Sequence, residues 1–201
     1  MSTMRTTRAL VLRRVNIREV DRLVVFYTAE YGKIEATVQG GSKIVSKLAC
    51  HLEPYSVTRV TIVSTRHGER VTGAELIKHY PRIIASIRTK AYADLVNELT
   101  DCLTQTRLPD MAIWRLIGQT WAALERLQVR SAAEERKASL IVTAYLLKFL
   151  TLLGYGLDLE NCQYCGRPLV AAGNRLSLER GGAMRVADRI RAVSRKDHRH
   201  L

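Results

Sequence analysis

The spacing of apolar residues changes period once along this chain, at Pro81, and that change constrains the fold more than any other feature of the sequence. Before it, apolar and polar residues alternate in short runs: residues 33–39 read KIEATVQ and residues 55–64 read YSVTRVTIVS. A period of two suits a sheet with one covered and one exposed face. Residues 8–15, 23–28 (LVVFYT) and 70–74 add three more β-branched stretches, which predicts five strands. Gly32, in AEYG, supplies the conformational freedom of a tight hairpin, so strands two and three pair antiparallel. Five strands in so short a segment predict a small antiparallel barrel, closed or partly closed, because closure removes exposed edges.

After Pro81 the spacing becomes three and four. Ile83, Ile84, Ile87, Ala91, Leu95, Leu99, Cys102 and Leu103 predict one amphipathic helix over 82–106. A second helix follows Pro109-Asp110 and runs to about 127, with Ile113, Ile117, Trp121 and Leu124 on one stripe. A third, over 133–153, ends at Gly154 and Gly156. The expected organisation is a β domain over 1–80, an all-α domain over 81–161 and a cysteine loop with a basic tail over 162–201.

Charge narrows the class of partner. The chain has 32 Lys and Arg against 19 Asp and Glu, a net charge of +13, which draws polyanions at long range. Residues 1–80 carry 13 basic and 7 acidic groups, residues 162–201 carry 9 and 3, and the middle is nearly neutral. Binding surfaces are therefore expected at the two ends. The candidate phosphate contacts are Arg13, Arg14, Arg18, Arg22, Lys33, Lys43, Lys47 and Arg59, within a wider basic set that includes Arg5 and Arg8. Tyr31 is the stacking candidate, and Phe26 is assigned to the core. Arg115, Arg126, Arg130 and Lys148 are candidates, by charge alone, for edging a pocket that takes an acidic, hydrophobic peptide. No apolar run approaches the roughly 18 residues of a membrane span, and residues 1–8 lack a secretory signal, so a soluble cytoplasmic protein is expected.

Catalytic signatures are missing from the sequence. It contains no GxxxxGK[ST], GxSxG or HExxH motif, and the adjacent Cys50-His51 has no orienting third group. Cys162-Gln163-Tyr164-Cys165-Gly166 has the spacing of one half of a tetrahedral zinc site. No second pair follows, which leaves Asp188, His198 and His200 as poorly spaced donors; a redox dithiol is the other reading of a lone CxxC. No cofactor is assigned on these grounds. The last residues, 189–201, are polar, basic and expected to be disordered.

Several segments, in order, resemble the bacterial RecO family of recombination mediators. They are residues 9–43, including the E-x-D-R sequence at Arg22 and T-x-E-x-G-K at Thr28 to Lys33; Leu52-Glu53-Pro54-Tyr55; Ala74-Glu75-Leu76; Leu152-Leu153-Gly154-Tyr155; Asp158-Leu159; and the CQYCG loop. The resemblance implies an oligonucleotide-binding (OB-like) barrel, a helical domain and a zinc-type loop. It implies binding of single- and double-stranded DNA, strand annealing, partnership with RecR, contact with the C-terminal tail of single-stranded-DNA-binding protein, and help in loading RecA, none of it enzymatic and all of it at the nucleoid. A protein scaffold with incidental DNA contact is the alternative. The sequence departs from the family where a second cysteine pair would follow Gly181-Gly182: Arg185 and Asp188 hold that spacing. Either the loop stands without zinc on apolar packing around Leu169 and Leu176, or the C-terminus is altered, since it stops at Leu201, short of common family lengths.

Overall fold

A computed structural model describes residues 3–17, 19, 21–40, 48–127, 129–177 and 179–185. The chain divides into two compact units, residues 1–146 and 147–201.

The first unit opens with five strands: β1 (Met4–Asn16), β2 (Arg22–Thr28), β3 (Gly32–Val38), β4 (Ser56–Thr65) and β5 (Gly68–His79). Pairing runs β1-β2-β3-β5-β4, and β4 comes back to β1. The antiparallel barrel followed by an all-α remainder needs correcting. The sheet is mixed, because β3 and β5 run parallel, joined at only two residue pairs, Ala36 with Glu69 and Thr37 with Arg70. A pairing that brief between distant strands leaves no period in the sequence. The remainder is not all helix either: β6 (Asn174–Ser177) and β7 (Gly182–Arg185) form an antiparallel hairpin in the second unit.

Alternation does what the sequence requires of it. Ala9, Val11, Val24, Phe26, Ile34, Ala36, Val38, Val60, Ile62 and Val71 form one buried cluster, with Phe26 inside it. The opposite faces of β1 and β2 are buried as well: Leu10, Leu12, Val25 and Tyr27 are shielded from solvent. Helices cover that side: α1 (Pro81–Ala85), α2 (Ile87–Leu103), α3 (Met111–Glu125) and α4 (Ala132–Leu152).

The single helix expected over 82–106 is two. Ser86 is extended, with φ −120° and ψ 116°, and its hydroxyl caps α2 by accepting from the Thr89 amide at 3.3 Å. The break shifts the helical phase. Thr89, Ala93, Val96, Asn97 and Thr100 face inward, whereas Ile84, Ala91, Leu95 and Leu103 are exposed and Ile87 is 84% exposed. Small and polar residues lie inward because large aromatics sit opposite: Trp121 meets Tyr55 edge-on at 5.7 Å between ring centroids and Tyr80 at 6.0 Å.

Asn97 joins the layers. A register shift between Val11 and Arg13 takes Leu12 out of the β1–β2 ladder. Asn97 Nδ2 donates to the Leu12 carbonyl at 2.8 Å, and Asn97 Oδ1 accepts from Trp121 Nε1 at 2.9 Å. Tyr145 on α4 adds a hydroxyl contact to Thr100 at 2.6 Å.

The α2–α3 connection is clamped to β3. The Arg107 amide donates to the Lys33 carbonyl at 2.9 Å. Gly32 has φ +67°, and a Cβ there would stand 2.3 Å from the Leu108 carbonyl oxygen. Thr28 closes the hairpin by accepting from the Tyr31 amide and donating to the Gly32 carbonyl, at 3.1 and 2.9 Å.

Candidate nucleic-acid interface

Of the five cations predicted to meet phosphate that lie among the described residues, four already hold a carboxylate. Arg13 Nε lies 2.5 Å from Asp101, Arg59 lies 2.5 Å from Glu75, and Arg14 pairs with Glu53. Lys33 is 9% exposed, and its ammonium is held by the Asp101 carboxylate at 3.2 Å and by the Asp101 carbonyl. Burial works to raise the Asp101 carboxyl, but hydrogen bonds from Arg13 and Lys33 outweigh it and hold the group below the usual aspartate value. Lys33 is thus a bolt between β3 and α2. Arg22 bonds Asn16 Oδ1 at 3.0 Å and keeps no carboxylate among the described residues. Arg18, Lys43 and Lys47 lie outside the described residues.

Strand register brings two arginines together. Arg8 of β1 stands directly opposite Arg59 of β4, and Arg59 stands opposite Glu75 of β5. Like charges so placed repel. Glu75 relieves Arg59, and the Arg8 guanidinium lies 5.1 Å from the centre of the Trp114 ring. Arg8 makes no ion pair among the described residues, so this outward sheet face carries uncompensated positive charge. The exposed pairs there are weak and open readily to a competing anion. Tyr31, the stacking candidate, is partly exposed, with the Arg5 guanidinium 5.0 Å from the centre of its ring, whereas Tyr27 and Tyr55 are buried. Burial, and secondarily Asp110, pushes the Tyr27 hydroxyl up to about 12.

At the start of β5, Glu69 gathers three groups: Arg5 at 2.8 Å, Arg107 at 2.7 Å and the Ser64 hydroxyl at 3.1 Å. Burial opposes ionisation, yet Arg5 foremost holds the carboxyl below the usual glutamate value.

A concavity of about 350 Å³ lies where α1 meets α2, lined by Arg82, Ser86, Ile87, Arg88, Val129 and Arg130. Of the four partner candidates only Arg130 lines it. Arg82 and Arg88, which charge counting passed over, stand with it because the Ser86 break folds them back. Arg115 and Arg126 are exposed on and after α3, and Lys148 edges an apolar groove with Leu147, Leu150 and Leu159 in the second unit. Glu134 caps α4 rather than marking a site: it accepts from the amides of Arg130 and Ser131, which hold it below its ordinary value.

The cysteine loop is a hydrogen-bonded knuckle. The Cys162 amide donates to the Arg167 carbonyl and the Gly166 amide to the Cys162 carbonyl, both at 2.8 Å, with Gly166 at φ +71°. The Gln163 amide reaches the Ala183 carbonyl at 2.9 Å, and the Arg185 amide donates to Cys162 Sγ at 3.4 Å. Burial of Cys162 acts to raise its thiol, but amides of Arg185, Cys165 and Tyr164 prevail and lower it. Among the described residues no group of three or more His, Cys, Asp or Glu is placed to hold a metal, so those residues do not fit a tetrahedral zinc site. Asp188, His198, His200 and the tail 189–201 lie outside the described residues. Hydrogen bonds rather than apolar packing secure the loop, for Leu176 is 56% exposed. Among the described residues no helix is long and apolar enough to cross a membrane.

The fold is that of a mixed sheet with a helical layer in the first unit and a cysteine knuckle with its hairpin in the second. The chain belongs to the RecO family: residues 1–80 match the model of "Recombination protein O N terminal" and residues 85–187 that of "Recombination protein O C terminal". It is 29% identical over 170 residues to the DNA repair protein RecO of Geobacter metallireducens, covering 84% of this chain and 66% of that protein. It is 30% identical over 177 residues to that of Dehalococcoides mccartyi (88% and 66%), and 30% over 182 residues to that of Bifidobacterium adolescentis (89% and 71%). The chain spans about two thirds of the length of these relatives.

Proposed function

We propose that this chain is a non-enzymatic mediator of recombinational DNA repair that binds single- and double-stranded DNA and promotes annealing. With RecR, it would assist RecA loading onto gaps coated by single-stranded-DNA-binding protein. What carries the reading is the match of both family models, in chain order, across nearly all of the sequence. In this reading Arg8 and Arg59, opposite each other across β1 and β4, offer guanidinium forks to phosphates of one strand, with Arg13, Arg14, Arg18, Arg22, Lys43 and Lys47 of the sequence-based set beside them and Lys33 set apart as a structural cation. Neutralising one strand lowers its repulsion of a complement, and base pairing supplies the rest. The concavity of Arg82, Ile87, Arg88 and Arg130 suits the acidic, hydrophobic tail of the single-stranded-DNA-binding protein, with an apolar residue against Ile87 and carboxylates on the arginines. Residues 1–80 form the DNA-binding domain and residues 81–161 the helical one, with the cysteine loop and basic tail beyond, in a cytoplasmic, nucleoid-associated protein.

One observation favours a second reading, a scaffold with incidental DNA contact: Arg13, Arg14, Lys33 and Arg59 all hold carboxylates of the same chain. The two separate in an annealing titration at several salt concentrations, comparing the intact chain with R8A/R59A and with R14E/R22E. Mediation predicts affinity that falls with salt, at a slope of about 0.7 per single-strand phosphate contact, and a smaller slope in both variants. An unchanged slope and unchanged annealing would leave the scaffold.

A further inference from the structure

We propose that the β6–β7 hairpin carries a second phosphate site, formed by Arg175, Arg180 and Arg185, for the backbone of single-stranded nucleic acid. These arginines line a cleft of about 300 Å³ together with Leu176, Ser177, Glu179 and Met184. The contrast is one of charge pairing. Of the first unit's arginines, Arg5, Arg13, Arg14, Arg59 and Arg107 each hold a carboxylate while Arg8 and Arg22 do not, and none of the three hairpin arginines makes an ion pair among the described residues, Glu179 included. Arg175 stands opposite Met184, one register position from Arg185, and Arg180 lies in the turn between the strands, so the cleft keeps a net positive charge that draws an anion.

The cleft is built on backbone that is already fixed. The Arg185 amide is on Cys162 Sγ, the Ala183 carbonyl accepts from Gln163, and the Ala183 amide donates to the Asp158 carbonyl at 2.9 Å. Gly182 lies so close that a Cβ would stand 2.6 Å from the Asp158 carbonyl oxygen. The knuckle thereby holds the hairpin backbone in place without spending its arginine side chains, so binding need order only those side chains. The Arg180 guanidinium lies 5.6 Å from the centre of the Tyr164 ring. A guanidinium plane backed by a ring is a stacking surface for a base, and a base free to stack there is unpaired, which selects single strands. Ser177 adds a hydroxyl donor for a phosphate oxygen.

This site rests on the DNA-binding reading and adds a contact distinct from the sheet. The test uses the whole chain and a fluorescent oligothymidylate, with anisotropy titrations at several salt concentrations. R175A/R180A/R185A is expected to reduce the salt slope by about 2, three contacts at about 0.7 each, and to weaken low-salt binding at least tenfold. Its melting midpoint is expected to stay put, and the Lys triple variant should keep most of the slope. If the Ala triple leaves slope and affinity unchanged while R8A/R59A reduces both, the hairpin site is refuted and the sheet reading stands. Loss in the hairpin triple alone supports the hairpin and refutes the sheet placement; no binding by the unaltered chain at low salt refutes both. A peptide of Asp, Glu and Phe is titrated in parallel: if the Ala triple loses the peptide but keeps the oligonucleotide, the cleft takes carboxylates and the proposal is overturned.

Discussion

Replacing Asn97 by Ala should be among the most damaging single changes in the first unit, although only one polar side chain is removed. The amide satisfies two groups at once, the Leu12 carbonyl at 2.8 Å and the Trp121 indole N–H at 2.9 Å. Both lie where water does not reach, since Leu12, Asn97 and Trp121 are all buried. A buried group left without a partner costs about 1–3 kcal/mol, so two orphans cost about 2–6 kcal/mol, and partial relaxation brings the expectation to about 3 kcal/mol. In a chain of 201 residues each kcal/mol moves the melting midpoint by about 2–4 °C, so a fall of about 6–12 °C is expected. The chain's two tryptophans, Trp114 and Trp121, are both in α3, so tryptophan emission during thermal unfolding reports on this unit alone. Asn97→Asp adds a signature. A carboxylate still accepts from Trp121 but cannot donate to Leu12, so its pKa rises on folding; the defect is full above the folded pKa and shrinks as pH falls and the acid regains a proton to donate. A shift under about 2 °C for N97A, or an N97D defect that does not respond to pH, would refute the argument that this amide couples sheet to helices.

Gly32→Ala should destabilise by about 3 kcal/mol, read by urea unfolding, because φ +67° strains an L residue and the new Cβ meets the Leu108 carbonyl; a loss below about 1 kcal/mol counts against the clamp. Glu69 and Asp101 are held below their ordinary values of 4.5 and 3.8, so their contribution is complete above those values and is lost as pH falls through the lower folded ones. A midpoint measured from pH 6 down to 2 should therefore drop at the acid end, less steeply in E69Q; parallel curves would remove Glu69 from the account. Chelation with EDTA should leave the melting midpoint and far-ultraviolet spectrum unchanged, and elemental analysis should find well under one zinc per chain; a stoichiometric zinc would show that ligands outside the described residues complete the knuckle.

Strands were legible because alternation is a local property: Phe26, Ile34, Ala36 and Val60 could be assigned inward from their neighbours alone. The α2 face was not. Counting apolar residues selected Ile84, Ile87, Leu95 and Leu103, but Ser86 resets the phase and bulky Tyr55 and Trp121 leave room only for Ala93, Asn97 and Thr100. Charge was legible as a sum and misleading residue by residue. Lys33 looked like a surface cation, and its partner Asp101 comes from a helix far along the chain; no spacing encodes that pair. Arg8 gained significance only through register, which sets it across from Arg59. The missing second cysteine pair could be read directly, while the Arg185 amide that meets Cys162 Sγ could not, since every residue but proline has one.

The parallel seam between β3 and β5 has its own consequence. Two residue pairs are a short hem for a ring of five strands, and Glu69, which forms one of them, is also tied to Arg5 of β1 and to Arg107 of the α2–α3 connection. The ring is therefore fastened there mostly by side chains, and fraying should start at that edge, with whichever of Ala36 and Thr37 turns its amide toward β5 giving up that proton to solvent before the amides in the middle of β2.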